Sequence, residues 1–478
     1  FAIVYNAKTK TIHGLNASGR APAAATPDEL RRRKLEAVPY RGELSVSVPG
    51  VVDGWHELLS KHGTITFERA LAPAIGYAKD GFAVSEIIAH QWKDAEGVLS
   101  RDPAAASTFL IDRRAPATGE VFRNPALAST LEQLARGGRD VFYRGPIAAA
   151  IAADMTSRNG LLAAADLAAH HSDWIEPIST TYRGYQVLEL PPNTQGIAAL
   201  EMLNILEGFD LKALGHNSAA YLHLLVEAKR IGFADRAAYL ADPDHVPAHV
   251  LKTLISKEYA AERRKEIDPA RAAAEYKPGA FAPSTSAPDA FFDGRDLGDT
   301  VYLAAADGRG NAISFINSLF STFGSGIVVP GTGIALHNRG SGFTLMKGHP
   351  NRLAPGKRPF HTLVPAMIMK DGRPLMPFGV MGGDNQAQAH VQIVVNLVDF
   401  GMNVQDAGDA ARVRHGGDTI AAESGIGEAI RAALIRRGHR IRDGRGAMGG
   451  YQAVLIDPKT GVLMGGSDPR KDGLAIGW

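Results

Sequence analysis

The chain holds 478 residues, 45% hydrophobic and 21% charged, the balance of a soluble globular protein with ample material for a core. Lys and Arg total 52 against 50 Asp and Glu, so the formal charge of +2 offers no basic excess for gripping a nucleic-acid backbone. Cysteine is absent, which excludes disulfide scaffolds, thiolate metal sites and thiol nucleophiles, and no apolar run of about 18 residues suggests a membrane span.

The chain opens on Phe1-Ala2-Ile3-Val4-Tyr5, already strand-like, so any leader peptide is expected upstream. Phe1 to Tyr5 and Thr11 to Leu15 read as a hairpin about Asn6-Ala7-Lys8, and Asp28 to Ala37 as a charged, solvated helix. Thr66 to Asp80 carries Leu71, Ile75, Tyr77 and Ala78 at helical spacing and stops at Gly81. Further helices are expected at Ala126–Leu134, Ile147–Met155 and Ser218–Tyr239, with a strand at Tyr185–Pro191. From Pro269 to Asp296 the composition turns to Ala, Pro, Ser, Gly and Asp, as in a linker or mobile surface segment. The texture then switches to strands: a hairpin at Thr300–Asn317, then Ile327–Val329, Leu363–Met369 and Ala453–Ile456. The switch divides the chain into a helix-rich part, 1–299, and a strand-rich part, 300–478. The segment at 269–296 is either a domain boundary or the presentation of a cleavage site before Thr300.

Several routes to chemistry close on inspection. There is no G-x-S-x-G elbow, P-loop or H-E-x-x-H. Gly444, Gly446 and Gly449 form a G-x-G-x-x-G, but it leads into a strand, whereas a dinucleotide site leads into a helix. The adjacent His170 and His171 lack ligand spacing, so no metal site is expected at them.

The hairpin is more informative. A turn centred on Arg309, within Asp307-Gly308-Arg309-Gly310-Asn311, sets Thr300 opposite Ser318, to within a residue or two of register. Two hydroxyls side by side at the open end of a hairpin can be packing, or a nucleophile and its partner.

Around that pair stand Gly298-Asp299-Thr300, the D-G-x-G-N-A run ending at Ala312, Ser318, and Thr322-Phe323-Gly324-Ser325-Gly326-Ile327. Lys357-Arg358-Pro359, Met381-Gly382-Gly383, Asp399-Phe400-Gly401-Met402-Asn403 and Ser467-Asp468-Pro469-Arg470 follow. Upstream lie Val48-Pro49-Gly50-Val51, His62-Gly63, and Leu190-Pro191-Pro192-Asn193 with Gln195-Gly196. In this order, and over nearly the whole chain, the sequence resembles the gamma-glutamyltranspeptidase family. The resemblance implies an α+β fold, the four-layer αββα sandwich of N-terminal-nucleophile hydrolases, with both parts intertwined. It implies a precursor that cuts itself between Asp299 and Thr300 to give a heterodimer of self-cleaved chains, its further dimerisation left open. Thr300 would be the nucleophile, its freed α-amine (pKa about 7.7 to 8.0) the base. Ser318 would orient them, and the amides of Gly382 and Gly383 would form the oxyanion hole. The substrate would be a small-molecule amide or peptide, with no metal, cofactor, nucleic acid or membrane involved.

Substrate recognition departs from the family pattern. The arginine that binds the glutamyl α-carboxylate aligns near Ser18, with Arg20 two residues on. The groups that hold the α-amine fall at Phe320, Gly342 and Arg339, and the paired serines at His361-Thr362. Residues 343–357 are shorter than the lid-bearing equivalent. A cation at Arg339 suits an acyl group that ends in a carboxylate and lacks the α-amine, so Arg20, Arg339, His361, Thr362 and Phe320 are the candidate substrate-binding residues. Two other readings stand beside this one: a true γ-glutamyl transferase or hydrolase acting on glutathione-like donors, and an unprocessed relative that binds without turnover. The sequence leaves the compartment open between a bacterial-type cytoplasm and periplasm.

Overall fold

The computed structural model describes residues 1–281, 299–444 and 448–478. In chain order its principal strands are β1 (Ala2–Asn6), β2 (Thr11–Asn16), β3 (Asp173–Ile175), β4 (Ile178–Tyr182), β5 (Tyr185–Glu189) and β6 (Asp299–Ala306). They continue as β7 (Ala312–Phe320), β8 (Ala366–Lys370), β9 (Arg373–Met381), β10 (Gly450–Ile456) and β11 (Leu463–Ser467). The helices that shape the centre are α1 (Val51–His62), α2 (Gly196–Leu206), α3 (Ala219–Tyr239) and α4 (Asn385–Val398).

The strands form two sheets, ordered β3-β2-β1-β7-β6 and β11-β10-β9-β8-β5-β4. Their facing sides pack Ile3, Tyr5, Leu188, Leu190, Tyr302, Ile316 and Met367 into one apolar layer. α2 and α4 cover the outer face of the second sheet and α3 packs on α2. Every residue of α2 is buried, Glu201 and Asn204 included, as expected of a helix that is otherwise apolar all round. On the other side α1 lies against β2, with Leu58 among Ala2, Val4 and Leu15. This is the expected αββα sandwich, and each sheet takes strands from both sides of Thr300.

The β6–β7 hairpin owes its register to its turn. Asp307 Oδ1 accepts from the amides of Arg309 and Asn311, each at 3.0 Å, and Gly310 takes a φ of +87° that favours glycine. The strands then pair Thr300 with Ser318, and a bulge beyond that rung sets Asp299 opposite Phe320. Two contacts fix the hairpin on the second sheet. Ser314 Oγ donates to the Phe378 carbonyl at 3.3 Å and accepts from the Ala366 amide at 3.1 Å. Gly379 lets the Tyr302 ring come close, since a Cβ there would lie 2.4 Å from it.

The N-terminal hairpin and the helices capped by Thr66 and Ser218 form where expected. The charged helix is shorter, Pro27–Arg32, because Lys34 turns to φ +62° and the Leu35 amide closes back on the Leu30 carbonyl at 3.0 Å. Most of the expected linker, 282–296, lies outside the described residues. Its described start is irregular yet docked: Tyr276 is buried and donates to Glu227 Oε2 at 2.8 Å.

Candidate active site

The hydroxyls of Thr300 and Ser318 meet at the open end of the hairpin, as the turn predicts. Thr300 Oγ1 donates to Ser318 Oγ at 3.1 Å, and the Phe320 amide donates to the same oxygen at 2.8 Å. Phe320 ends the strand at φ +82°. The pair stands between two cavities: one of about 400 Å3 lined by Thr300, Gly382, Arg414 and Lys471, the other of about 420 Å3 lined by Ser18, Ser318, His337, Arg339 and His361.

Gly382 and Gly383 form the turn from β9 into α4, at φ +127° and +59°. A Cβ on Gly382 would lie a tight 3.1 Å from the Gly449 backbone, and its φ of +127° disfavours any residue with a side chain. The carbonyls of the pair point into the protein, accepting from the Asn385 and Gln386 amides at 3.0 and 3.1 Å, and no turn or loop hydrogen bond among the described residues engages their own N–H groups. Amides at a helix N-terminus carry partial positive charge, which suits them to a developing oxyanion.

Arg339 supplies the charge of the second cavity. It begins a short 3-10 turn, Arg339–Gly342, fixed by Asn338, whose side chain bonds the Ser321 amide and the Tyr40 carbonyl. Its Nη1 donates to Thr362 Oγ1 at 2.8 Å, and its guanidinium lies 4.4 Å from the Phe320 ring centre. Nε and Nη2 are buried without a partner, and no carboxylate lies within salt-bridge distance among the described residues. Burial lowers its pKa below the ordinary value, with Tyr40 and Asp384 opposing the shift. His361 is buried with Nδ1 unpartnered, and burial and then the Arg339 charge hold it well below the usual range, so its ring is neutral.

The structure brings together Thr300, Ser318, Phe320, Arg339, His361 and Thr362, with the Gly382-Gly383 turn beside them. Arg20 stands apart from this group: its guanidinium faces Asp173 and Asp242, at 3.7 and 3.8 Å, bonds the Gly356 carbonyl, and lines neither of the two cavities. Ser18 lines the wall instead, its hydroxyl on Asn16 Oδ1 at 2.7 Å. Sequence reasoning gave no role to Asn338 or Gln195; only an Asn immediately before a candidate arginine hinted at the first.

His170 is buried beneath Tyr143 while His171 is exposed, so the two histidines share no site. Among the described residues one group, His223, Glu227 and His439, has ligand-type atoms within 4.8 Å of one another. Its members already bond within the protein: His223 bonds His439 and the Asp268 carbonyl, and Glu227 bonds Arg230, Tyr276 and the Ala273 amide. Beyond Gly446, which lies outside the described residues, the glycine-rich run leads into β10, not a helix. Among the described residues no helix is long and apolar enough to cross a membrane.

A stacked pair of sheets between helical layers, with paired hydroxyls at a strand end, defines an N-terminal-nucleophile hydrolase. The profile of the family described as gamma-glutamyltranspeptidase matches residues 1–478. The glutathione hydrolase-like YwrD proenzyme of Bacillus subtilis is 36% identical, over 100% of this chain and 89% of its own. The acylase ACY 1 proenzyme of Pseudomonas sp. strain SE83 is 35% identical, over 91% and 75%. The crystal structure of cephalosporin acylase from Bacillus halodurans superposes with a TM-score of 0.92 at 41% identity, covering 100% of this chain and 86% of that one. The chain belongs to the gamma-glutamyltranspeptidase family of hydrolases, and both of these sequence relatives are named as proenzymes.

Proposed function

We propose that the chain cuts itself between Asp299 and Thr300, stays together as a heterodimer, and hydrolyses amides whose acyl group ends in a carboxylate and lacks an α-amine. Dicarboxylate monoamides are the substrate class. One observation carries this: Arg339 is buried beside the hydroxyl pair with two nitrogens unpartnered and no carboxylate of its own. A buried cation without a counter-ion is costly, and a substrate carboxylate would relieve it. An ammonium in the same place would be repelled.

In the first reaction Thr300 Oγ1 attacks the Asp299 carbonyl carbon. The peptide C–N bond breaks as the nitrogen takes the hydroxyl proton, which frees the α-amine of Thr300 and leaves Asp299 esterified to Oγ1; water then hydrolyses the ester to the Asp299 carboxylate and restores the Thr300 hydroxyl. That amine is then the base for turnover, because its pKa of about 7.7 to 8.0 lies near neutrality. It takes the proton from Oγ1 as the oxygen attacks the substrate carbonyl, and Ser318 Oγ, already accepting from Oγ1, orients the nucleophile. The amides of Gly382 and Gly383 receive the oxyanion; such donors are worth about 3 to 4 kcal/mol each. The amine leaves with the proton, and water releases the acid. The short segment at 343–357 favours water over an amine acceptor.

Steady-state turnover of glutaryl and γ-glutamyl anilides tests the reading. A higher kcat/KM for glutaryl is expected; a clear preference for γ-glutamyl would sink it. That rival draws its support from the glutathione hydrolase-like relative, and the unpaired Arg339 opposes it.

A further inference from the structure

Gln195, just before α2, is completely buried, and both protons of its amide and its oxygen are engaged. Nε2 donates one proton to the Thr362 carbonyl at 2.7 Å and the other to the Gly383 carbonyl at 3.0 Å. Oε1 accepts from Arg236 Nη1 at 2.8 Å, and the same nitrogen reaches Asp384 Oδ1 at 2.6 Å. The backbone on either side is clamped too. Thr194 Oγ1 donates to the Leu190 carbonyl at 2.7 Å, Asn193 Nδ2 to the Pro359 carbonyl at 2.6 Å, and a Cβ on Gly196 would lie 2.6 Å from the Leu190 carbonyl oxygen.

The two segments that Gln195 joins belong to opposite ends of the acyl site. Thr362 holds Arg339 through its hydroxyl, and Gly383 is half of the glycine turn that flanks Thr300. A planar amide with both protons committed fixes the separation of the two carbonyls it bridges. We propose that Gln195 is a positioning residue that sets the acyl-chain length the enzyme accepts, by fixing the span between the Arg339 anchor and the Gly382-Gly383 turn. This rests on the reading that Arg339 receives the acyl carboxylate. With the span fixed, one methylene too many or too few leaves either the carboxylate off its anchor or the carbonyl off its donors. Discrimination of about tenfold or more per methylene follows.

The test compares kcat/KM for succinyl, glutaryl and adipyl anilides on the processed protein, in the wild type, Gln195→Met, Gln195→Glu, Arg236→Met and Leu200→Ala. Met keeps the volume without donors, and Glu keeps the Arg236 contact but turns oxygens toward both carbonyls. Arg236→Met leaves both Nε2 bonds of Gln195 in place while removing the donor to its Oε1 and the ion pair to Asp384. Leu200→Ala removes buried volume from α2 away from the bridge. A ratio of rates within one enzyme does not depend on how much of it folded or was cut. The wild type is expected to separate neighbouring lengths by about tenfold or more, both Gln195 variants to compress this below about threefold, and Arg236→Met to fall between. Leu200→Ala is expected to lower the melting temperature with the ratio intact. An unchanged ratio in every active Gln195 variant, equal compression in Leu200→Ala, or loss of all turnover in both Gln195 variants and Arg236→Met overturns the proposal. A wild type that prefers the γ-glutamyl anilide to all three acyl groups fails the underlying reading instead, and the length proposal falls with it.

Discussion

The guanidinium of Arg339 stacks on Phe320, 4.4 Å from its ring centre, while the amide of Phe320 binds the hydroxyl of Ser318. One residue thus touches both the candidate anchor for the acyl group and the machinery at Thr300. In Arg339→Met the anchor is lost, and kcat/KM for a glutaryl anilide should fall about 10- to 100-fold, since hydrogen bonds to charged groups are worth about 1.5 to 3 kcal/mol. Chain cutting should persist. The melting temperature should hold or rise, because an unpaired buried cation has been removed. A melt beside steady-state kinetics checks both.

Thr300→Ala should run as one chain in denaturing mass spectrometry where the wild type gives two. Ser318→Ala leaves the Thr300 hydroxyl and the Phe320 amide without their shared acceptor, at a cost of about 1 to 3 kcal/mol. Slower cutting and turnover lowered about 10- to 100-fold are expected, read from the time course of the two chains and from kcat.

His337 predicts a pH dependence of stability. Its Nδ1 accepts from the Arg339 amide at 3.1 Å, and the other nitrogen faces the Val48 carbonyl at 3.4 Å. Burial pushes its pKa down to about 4, the Val48 bond opposes this, and Arg339 adds to it. The unfolded imidazole, near 6.5, therefore binds a proton that the folded one refuses. The stability from the neutral ring is fully present above about 6.5 and is lost as pH falls toward 4. Urea midpoints measured from pH 7 down to 4 should fall, and His337→Gln should flatten that slope.

Gly379→Ala places a methyl 2.4 Å from the buried ring of Tyr302, which is held by Ser314. Overpacking of this kind costs about 1 to 3 kcal/mol. Because Tyr302 stands two residues from Thr300 on the same strand, the variant should also cut itself more slowly. Thermal melts and the cleavage time course measure the two effects.

What sequence made legible was local. The Asp307–Asn311 turn fixes its own hydrogen bonds, so the Thr300–Ser318 rung follows from counting outward. Thr66 and Ser218 cap their helices within a few residues. β9 resists such reading because Pro374 and Pro377 interrupt its pattern, although it pairs with β8 and leads into the glycine turn. The different surroundings of Arg20 and Arg339 were equally hidden, since Asp173 and Asp242 reach Arg20 from distant parts of the chain. Gln195 is a third case, since all its partners come from other segments.

The interleaving of the sheets has a consequence for what a cut between Asp299 and Thr300 can do. β1 lies hydrogen-bonded between β2 and β7, and β8 between β5 and β9, so in each of the two sheets the seam between the two parts is an interior one. Breaking the chain there liberates an end without liberating a piece. The severed bond is then the least important connection between the halves, and neither half is a fragment with a surface of its own.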